Sequence, residues 1–345
     1  MAIIDKPSDY FNTLIWTGNG LTRSITGVNF QPDFTWIKKR SSADSHHVFD
    51  VVRGAGNRLL TDSTSAEYVG SNELTAFNSD GFTVSNNGAV NGSGGTYVGW
   101  SWLGGGTAVS NTAGSITSSV SANTTAGFSV VSWTGAGAVG TIGHGLNAEP
   151  KFIITKKRNN TGNWACYHSS LGSTKYMYLN GTGASATYSG FWNNTTPTST
   201  LISLGTDDNV TGSGDNIIAY CFANTSMIKC GSYVGNGSTD GTFVFTGMKP
   251  AFVMIKQSST SGNGWIMMDD KRNTYNPNGD YLQANLSDAE ETAGPTVTDF
   301  LSNGFKIRTA SGRVNTSGAT YIYLAIAEQS FVTSTTNGSI PATAR

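Results

Sequence analysis

The chain has 345 residues, of which 12% are charged, and a formal net charge of -1. That balance excludes an electrostatic footprint for nucleic acid or an anionic membrane, because no basic stripe is present to meet phosphates. Its polarity comes from Gly, Ser, Thr and Asn, with 43 glycines against 8 prolines, while 11% aromatic residues argue for packed structure over disorder.

Met1-Ala2-Ile3-Ile4-Asp5-Lys6 is followed at once by polar residues, and no apolar run approaches membrane length. Neither a secretory leader nor a membrane-spanning helix is therefore expected. Trp16-Thr17-Gly18 then opens a pattern that recurs at Trp133-Thr134-Gly135 and Tyr233-Val234-Gly235. A proline-led apolar run ending in lysine follows each opening at nearly the same interval: 32–38, 150–156 and 250–256. Each copy passes through a loop and a second recognisable segment. These are His46-His47-Val48-Phe49-Asp50-Val51-Val52-Arg53, Trp164-Ala165-Cys166-Tyr167-His168 and Trp265-Ile266-Met267-Met268-Asp269-Asp270-Lys271-Arg272. Aromatic runs at 97–102, 217–222 and 321–327 close the copies.

Between the first two copies, Gly104-Gly105-Gly106 begins a linker-like stretch. Ser115-Ile116-Thr117-Ser118-Ser119-Val120 alternates well enough to be an edge strand leading into the second copy. Asn-Gly and Asp-Gly pairs such as Asp80-Gly81, Asn236-Gly237 and Asn303-Gly304 supply hairpin turns. Helical periodicity is almost absent, and Ser287-Asp288-Ala289-Glu290-Glu291 is at most one helical turn or a loop. The expected fold is all-β, with tandem antiparallel β-sandwich repeats of jelly-roll or lectin-like type and almost no helix. The expected units are 1–106, 107–229 and 230–332, with a polar tail at 333–345. A second arrangement is one larger structure in which the copies exchange strands or surround a pseudo-threefold axis. Closing and proline-led strands are apolar on both faces, which places them centrally in their sheets.

Several segments resemble structural proteins of marine tailed bacteriophages of the cyanophage type, in the tail-fibre-like or virion-associated family. They include Lys6-Pro7-Ser8-Asp9-Tyr10-Phe11-Asn12-Thr13, Phe30-Gln31-Pro32-Asp33-Phe34-Thr35-Trp36-Ile37-Lys38 and Gly231-Ser232-Tyr233-Val234-Gly235-Asn236-Gly237. Asp299-Phe300-Leu301-Ser302-Asn303-Gly304-Phe305-Lys306 belongs with them. The resemblance covers nearly the whole chain. It implies a virion location and a lectin-like β-sandwich, and carries no catalytic residues.

The aromatic and charged residues after the proline-led strands are the candidate ligand-binding set: Trp164, His168, Trp265, Asp269 and Arg272. In one reading the indoles stack on sugar rings while carboxylate and guanidinium bond to hydroxyls. In the other the aromatics are core, and Asp50/Arg53 and Asp269/Arg272 are ion pairs that pin the following turn. Burial of Trp164 and Trp265 separates the two. Neither adjacent carboxylate pair, Asp269/Asp270 or Glu290/Glu291, suggests a glycosidase dyad by itself, since neighbours on a strand point to opposite faces; a dyad between distant positions stays open. The four histidines lack zinc-ligand spacing. Asp207-Asp208-Asn209 with Asp215-Asn216 could offer oxygens to Ca²⁺ or simply form turns. Cys166, Cys221 and Cys230 read as buried free thiols, with a Cys221–Cys230 bridge as the alternative.

The sequence thus leads to a non-enzymatic virion protein without catalytic residues, metal or cofactor. Its expected role is as a tail-fibre or receptor-binding component that adheres to host surface glycans through many weak contacts. A capsid or tail decoration protein that docks to other virion proteins is the alternative, and a polysaccharide depolymerase the second alternative. Expected partners are further copies of itself, with a trimer as the candidate oligomer, other virion structural proteins and host cell-surface carbohydrate. Nucleic acid and membrane insertion are excluded from that set.

Overall fold

The computed structural model describes residues 4–292, 294 and 298–330; the expected tail at 333–345 lies outside the described residues. The fold is all-β, with antiparallel pairing throughout its sheets and only short helical turns. Strands sort into three sets that follow the three sequence copies, here called units 1, 2 and 3. Unit 3 opens at Ile228, just ahead of the expected boundary at 230.

One three-stranded heart recurs in each unit. The closing strand lies between the opening strand and the proline-led strand, as its two apolar faces require. In unit 1 Thr96–Trp102 is flanked by Phe11–Thr17 and Phe34–Lys39; in unit 2 Asn216–Ala223 by Phe128–Thr134 and Pro150–Lys157; in unit 3 Thr320–Ser330 by Ile228–Val234 and Met248–Gln257. Registers agree across the copies. Trp102 faces Phe11 and Phe34, Phe222 faces Phe128 and Phe152, and Ile326 faces Ile228 and Phe252. This alignment makes Trp100, Tyr220 and Leu324 equivalent, as are Asp50, His168 and Asp269. Lys38, Lys156 and Lys256 form a third such set.

A smaller sheet packs on one face of each heart. It comprises Arg23–Thr26, Leu74–Asn78 and Gly81–Val84 in unit 1, Gly140–Gly143 with Leu201–Leu204 in unit 2, and Phe243–Phe245, Thr298–Leu301 and Gly304–Ile307 in unit 3. The opening aromatics hold the helical turn that precedes each closing strand. Trp16 and Trp133 donate their indole N–H to the Val90 and Val210 carbonyls at 3.1 and 3.0 Å, and the Tyr233 hydroxyl donates to Val314 O at 2.7 Å. Asn87 and Asp207 cap two of those turns through their side chains. The segment 287–291 forms no helix; Glu291 bridges to Tyr281 as extended chain. The expected edge strand before unit 2 begins at Ser118 rather than 115, and Val109–Asn111 lies outside it.

The second face of each heart turns inward to a core shared by all three units. Phe34, Trp36, Trp100 and Trp102 of unit 1 join Phe128, Phe152, Tyr220 and Phe222 of unit 2 and Phe252 and Leu324 of unit 3 in one buried cluster. Phe34 stacks on Tyr220 at 4.2 Å between ring centroids, Phe252 meets Trp100 at 5.8 Å, and Phe152 meets Trp265 at 5.9 Å. The copies therefore surround a pseudo-threefold axis, the second of the two arrangements expected above. Aromatic side chains of this size make that shared core a large apolar contribution to stability.

Candidate functional site

The same lines of contact repeat at each junction between units. Where the proline-led strand of one unit ends, its lysine reaches a carbonyl of the neighbour. Lys156 donates to Thr64 O at 3.2 Å, Lys256 to Thr182 O at 3.4 Å, and Lys38 to Ser287 O at 3.3 Å. A backbone N–H joins each of these carbonyls: Gly162 to Thr64, Gly262 to Thr182 and Asp44 to Ser287. Unit 2 thus leans on unit 1, unit 3 on unit 2, and unit 1 on unit 3. The ring closes. Burial pushes all three ammonium pKa values down to about 8.

Two of the three junctions carry an ionic network. Between units 2 and 1, Asp50 Oδ2 accepts from Arg53 Nε at 2.5 Å and from the Tyr220 hydroxyl at 2.8 Å. Glu67 receives Arg53 at 3.1 Å and a two-nitrogen grip from Arg158 at 3.0 and 2.9 Å. Burial raises the Glu67 pKa, but Arg158 and Arg53 more than offset it and hold the carboxyl below the usual range. Between units 1 and 3, Asp269 Oδ2 accepts from Arg272 Nε at 2.5 Å and from the Trp100 indole at 3.0 Å. Glu290 there receives Arg272 at 2.9 Å and Arg40 at 2.9 and 2.7 Å. Each Asp also accepts from the N–H of the Arg three residues on, which pins the turn.

The third junction, between units 3 and 2, keeps its lysine, Lys256, but has no such carboxylate–arginine network. His168 stands in the aspartate position, Leu171 in that of the arginine, and Leu324 in that of the donor. Ser185 and Ser258 replace the Glu–Arg grip, and only the backbone bond survives, from Ser185 N to Ser258 O at 2.9 Å. Its counterparts run from Glu67 N to Arg158 O at 2.7 Å and from Glu290 N to Arg40 O at 2.9 Å. His168 Nε2 lies 3.2 Å from Tyr323 O while Nδ1 accepts from Ser170 N, so the ring is neutral and fully engaged. Burial lowers its pKa to about 4.

The five sequence candidates are accordingly split among three junctions instead of gathered at one site. Trp164 donates to Leu60 O of unit 1 at 2.8 Å and Trp265 to Tyr178 O of unit 2 at 3.0 Å. Their exposures are 1% and 2%, which removes sugar stacking by these indoles. His168, Asp269 and Arg272 are buried with them. The physical reason is that each large sheet is covered on both faces, one by its own small sheet and one by the axis. Sequence reading missed Arg40, Glu67, Arg158, Glu290, Trp100 and Tyr220. The available signal was the lysine ending an apolar run three times over, since a strand buried on both faces can hold such a charge only by reaching a fixed partner.

Elsewhere, Cys166, Cys221 and Cys230 are buried free thiols. Asp207 caps a helical turn, and no cluster of three His, Cys, Asp or Glu is placed to hold a metal among the described residues. An open cleft of about 520 Å³ between units 1 and 2 is lined by residues that include Gln31, Asp33, Gly104, Asn123 and Thr124. Asp33 Oδ2 accepts from Gly104 and Gly106 N–H at 2.7 and 3.1 Å, which ties the linker down, and burial raises its pKa.

A family model described as "Domain of unknown function (DUF7483)" matches residues 6–330, a span that takes in all three units. No curated protein and no solved structure matches the chain.

Proposed function

Since the chain belongs to that family of unknown function, which supplies no activity to carry over, we propose a reading from its residues. The protein is a non-enzymatic building block of a bacteriophage virion, a tail-fibre or receptor-binding component that holds polar loops against host surface glycans. The observation that carries this reading is the closed ring of junctions. The recurrent charged and aromatic groups join the units to one another, and a rigid three-unit body with Ser-, Thr-, Asn- and Gly-rich loops remains to face outward. Weak polar contacts from such loops become effective when many copies sit on one particle. The sequence resemblance supports the virion location. Purified protein added to host cells before infection tests the reading: it should slow particle adsorption in a dose-dependent way, and unchanged adsorption at saturating protein would sink it.

A second reading, a decoration protein docked to other virion proteins, is favoured by Phe243 and Phe245. These rings are 43% and 60% exposed on one face of an edge strand, and exposed aromatics are more typical of a protein contact than of a free surface. Labelled antibody on intact particles separates the two readings, with the tail tip expected for the first and the capsid surface for the second.

A further inference from the structure

The small sheet of unit 3 departs from its counterparts at two outward positions. In unit 1, Ile25 faces Phe82 and is buried, while Ser24 and Thr26 on either side of it face Thr83 and Gly81 and are exposed. Unit 3 repeats that register: Val244 faces Phe305 and is buried, and Phe243 and Phe245 face Lys306 and Gly304 and are exposed. Unit 2 sets Thr141 and Gly143 beside its buried Ile142. Alternation along a strand sends such flanking residues to the face opposite the core. The fold is therefore satisfied there by a hydroxyl or by no side chain, and of the three units only the third carries phenyl rings.

Charged groups and an open space surround the rings. Lys306, opposite Phe243, meets Asp240 at 2.6 Å, and Arg308 meets Asp299 at 3.3 Å; all four side chains keep part of their surface in water. Gly304, opposite Phe245, has no room for a side chain, because a Cβ there would lie 2.1 Å from Val244 O. Tyr275, the most exposed aromatic of the described residues at 79%, stands on the loop along the far edge of the sheet, where Asn276 bonds both to Phe300 N and to Phe300 O.

Size separates the kinds of partner. Three strands about 4.8 Å apart, with the edge strand running at about 3.3 Å per residue over Phe243–Phe245, make a face roughly 10 Å on a side. A stable protein interface takes about 800 Å² from each partner, several times what this face holds. One or two sugar rings match it. Aromatic rings meet the C–H groups on one side of a pyranose, and flanking charged groups bond to its hydroxyls. The two cations and two carboxylates cancel, which favours an uncharged sugar over an acidic one.

We propose that this outer face is a carbohydrate-binding site for one or two neutral pyranose rings, which stack on Phe243 and Phe245 and hydrogen-bond with Lys306, Asp240, Arg308 and Asp299. The site rests on the first of the two readings above, that the protein meets host glycans; on the second, the same rings meet protein. A flat face buries little of its ligand, so each contact is weak and gains strength only from many copies. It also reads the apolar side of the ring and not one pattern of hydroxyls, so common neutral hexoses should bind alike.

Saturation-transfer NMR on the full-length protein with the methyl glycosides of glucose, mannose and galactose tests the site, against an F243S/F245T variant that installs the residues of unit 1. Unit 1 folds with Ser24 and Thr26 at these positions, so the variant should keep the parent's thermal midpoint. Transfer to the glycosides should be present in the parent and at least tenfold smaller in the variant. Equal transfer in the two proteins, or none in the parent, overturns the proposal. In the latter case, loss of binding to purified particles by the variant alone would give the face to a protein partner. Adsorption assays on the same pair keep the site and the underlying reading apart. A parent that binds the glycosides yet leaves adsorption unchanged loses the reading and keeps the site; a parent that slows adsorption while the variant shows equal transfer loses the site and keeps the reading.

Discussion

Tyr220 and Trp100 end in a hydrogen-bond donor, and each meets a buried aspartate; Leu324 has no donor, and the residue it would meet is His168. Arginine follows aspartate at the same spacing and leucine follows the histidine. Arg158 and Arg40 likewise go with Glu67 and Glu290, and Ser258 with Ser185. The substitutions at the junction without the network are therefore matched across units, as they must be, since one member of a buried ionic set left alone costs several kcal/mol. Glu67→Ser alone should destabilise the protein by about 3 kcal/mol, because it takes the two-nitrogen partner from the partly buried Arg158 and leaves the buried Arg53 with Asp50 as its carboxylate. Adding Arg158→Ser should recover at least a third of that loss, and urea unfolding of the two single variants and the double variant measures the coupling. Strict additivity would mean that the network contributes no pairwise energy.

The three junction lysines give the stability a pH dependence. Their pKa values fall from about 10.4 in an unfolded chain to about 8 in the folded one, so between those values the unfolded state binds more protons. Each lysine therefore adds stability as pH rises from about 8 to 9.5, while the three buried thiols, which burial keeps protonated, oppose it from about pH 8.5 and the tyrosines from about 10. Lys256→Met should lose stability relative to the parent protein across that range. Denaturant midpoints of the two proteins check this, and a difference that does not change with pH would contradict it.

At the scale of the element, the opening motif Trp/Tyr-x-Gly is explained by two contacts made together. The aromatic ring anchors the helical turn before the closing strand, and the glycine lies against that turn's backbone. A Cβ at Gly18, Gly135 or Gly235 would come within 2.1, 2.2 or 2.4 Å of the carbonyl oxygens of Gly92, Gly212 and Thr316. Backbone cannot yield as a side chain can, so Gly135→Ala should cost about 1–3 kcal/mol, and its equivalents in the other units similar amounts. Thermal unfolding of the three variants measures this; a change below 0.5 kcal/mol at all three, well under the ~1 kcal/mol floor for overpacking, would refute the close-approach account.

These elements also show how much could be read in advance. The three strands of each heart were legible, because apolar runs such as Ile217-Ile218-Ala219-Tyr220-Cys221-Phe222 report burial on both faces directly. The helical turns were not, since a four-residue turn such as Gly88–Asn91 has no periodicity to reveal, only the Asn87 cap. The candidate site was misplaced for a related reason. Trp164 and Trp265 look alike whether they meet a sugar or a neighbouring unit, and nothing local says that the second face of the sheet is already covered. Registering Asp50, His168 and Asp269 against one another, and then against Tyr220, Leu324 and Trp100, requires knowing which unit neighbours which.

For the whole molecule, the decisive property is that the junctions are head-to-tail and close after three. An open head-to-tail series leaves two unsatisfied ends, whereas a closed one leaves none. Cutting the ring at any point exposes two surfaces of the shared core. Unit 2 alone would present Phe128, Phe152, Tyr220 and Phe222 to water, together with the buried indole of Trp164. A 107–229 fragment should therefore fail to fold as a monomer, although its own sandwich core, which includes Trp133, Ile153, Phe191 and Trp192, is complete. The full chain should unfold in a single calorimetric transition, with equal van't Hoff and calorimetric enthalpies. Three resolved transitions, or a fragment with native-like dispersed amide resonances and no exposed apolar surface by dye binding, would show the units to be independent. In that case the shared aromatic core would be a docking surface between finished domains and not the centre around which the chain folds.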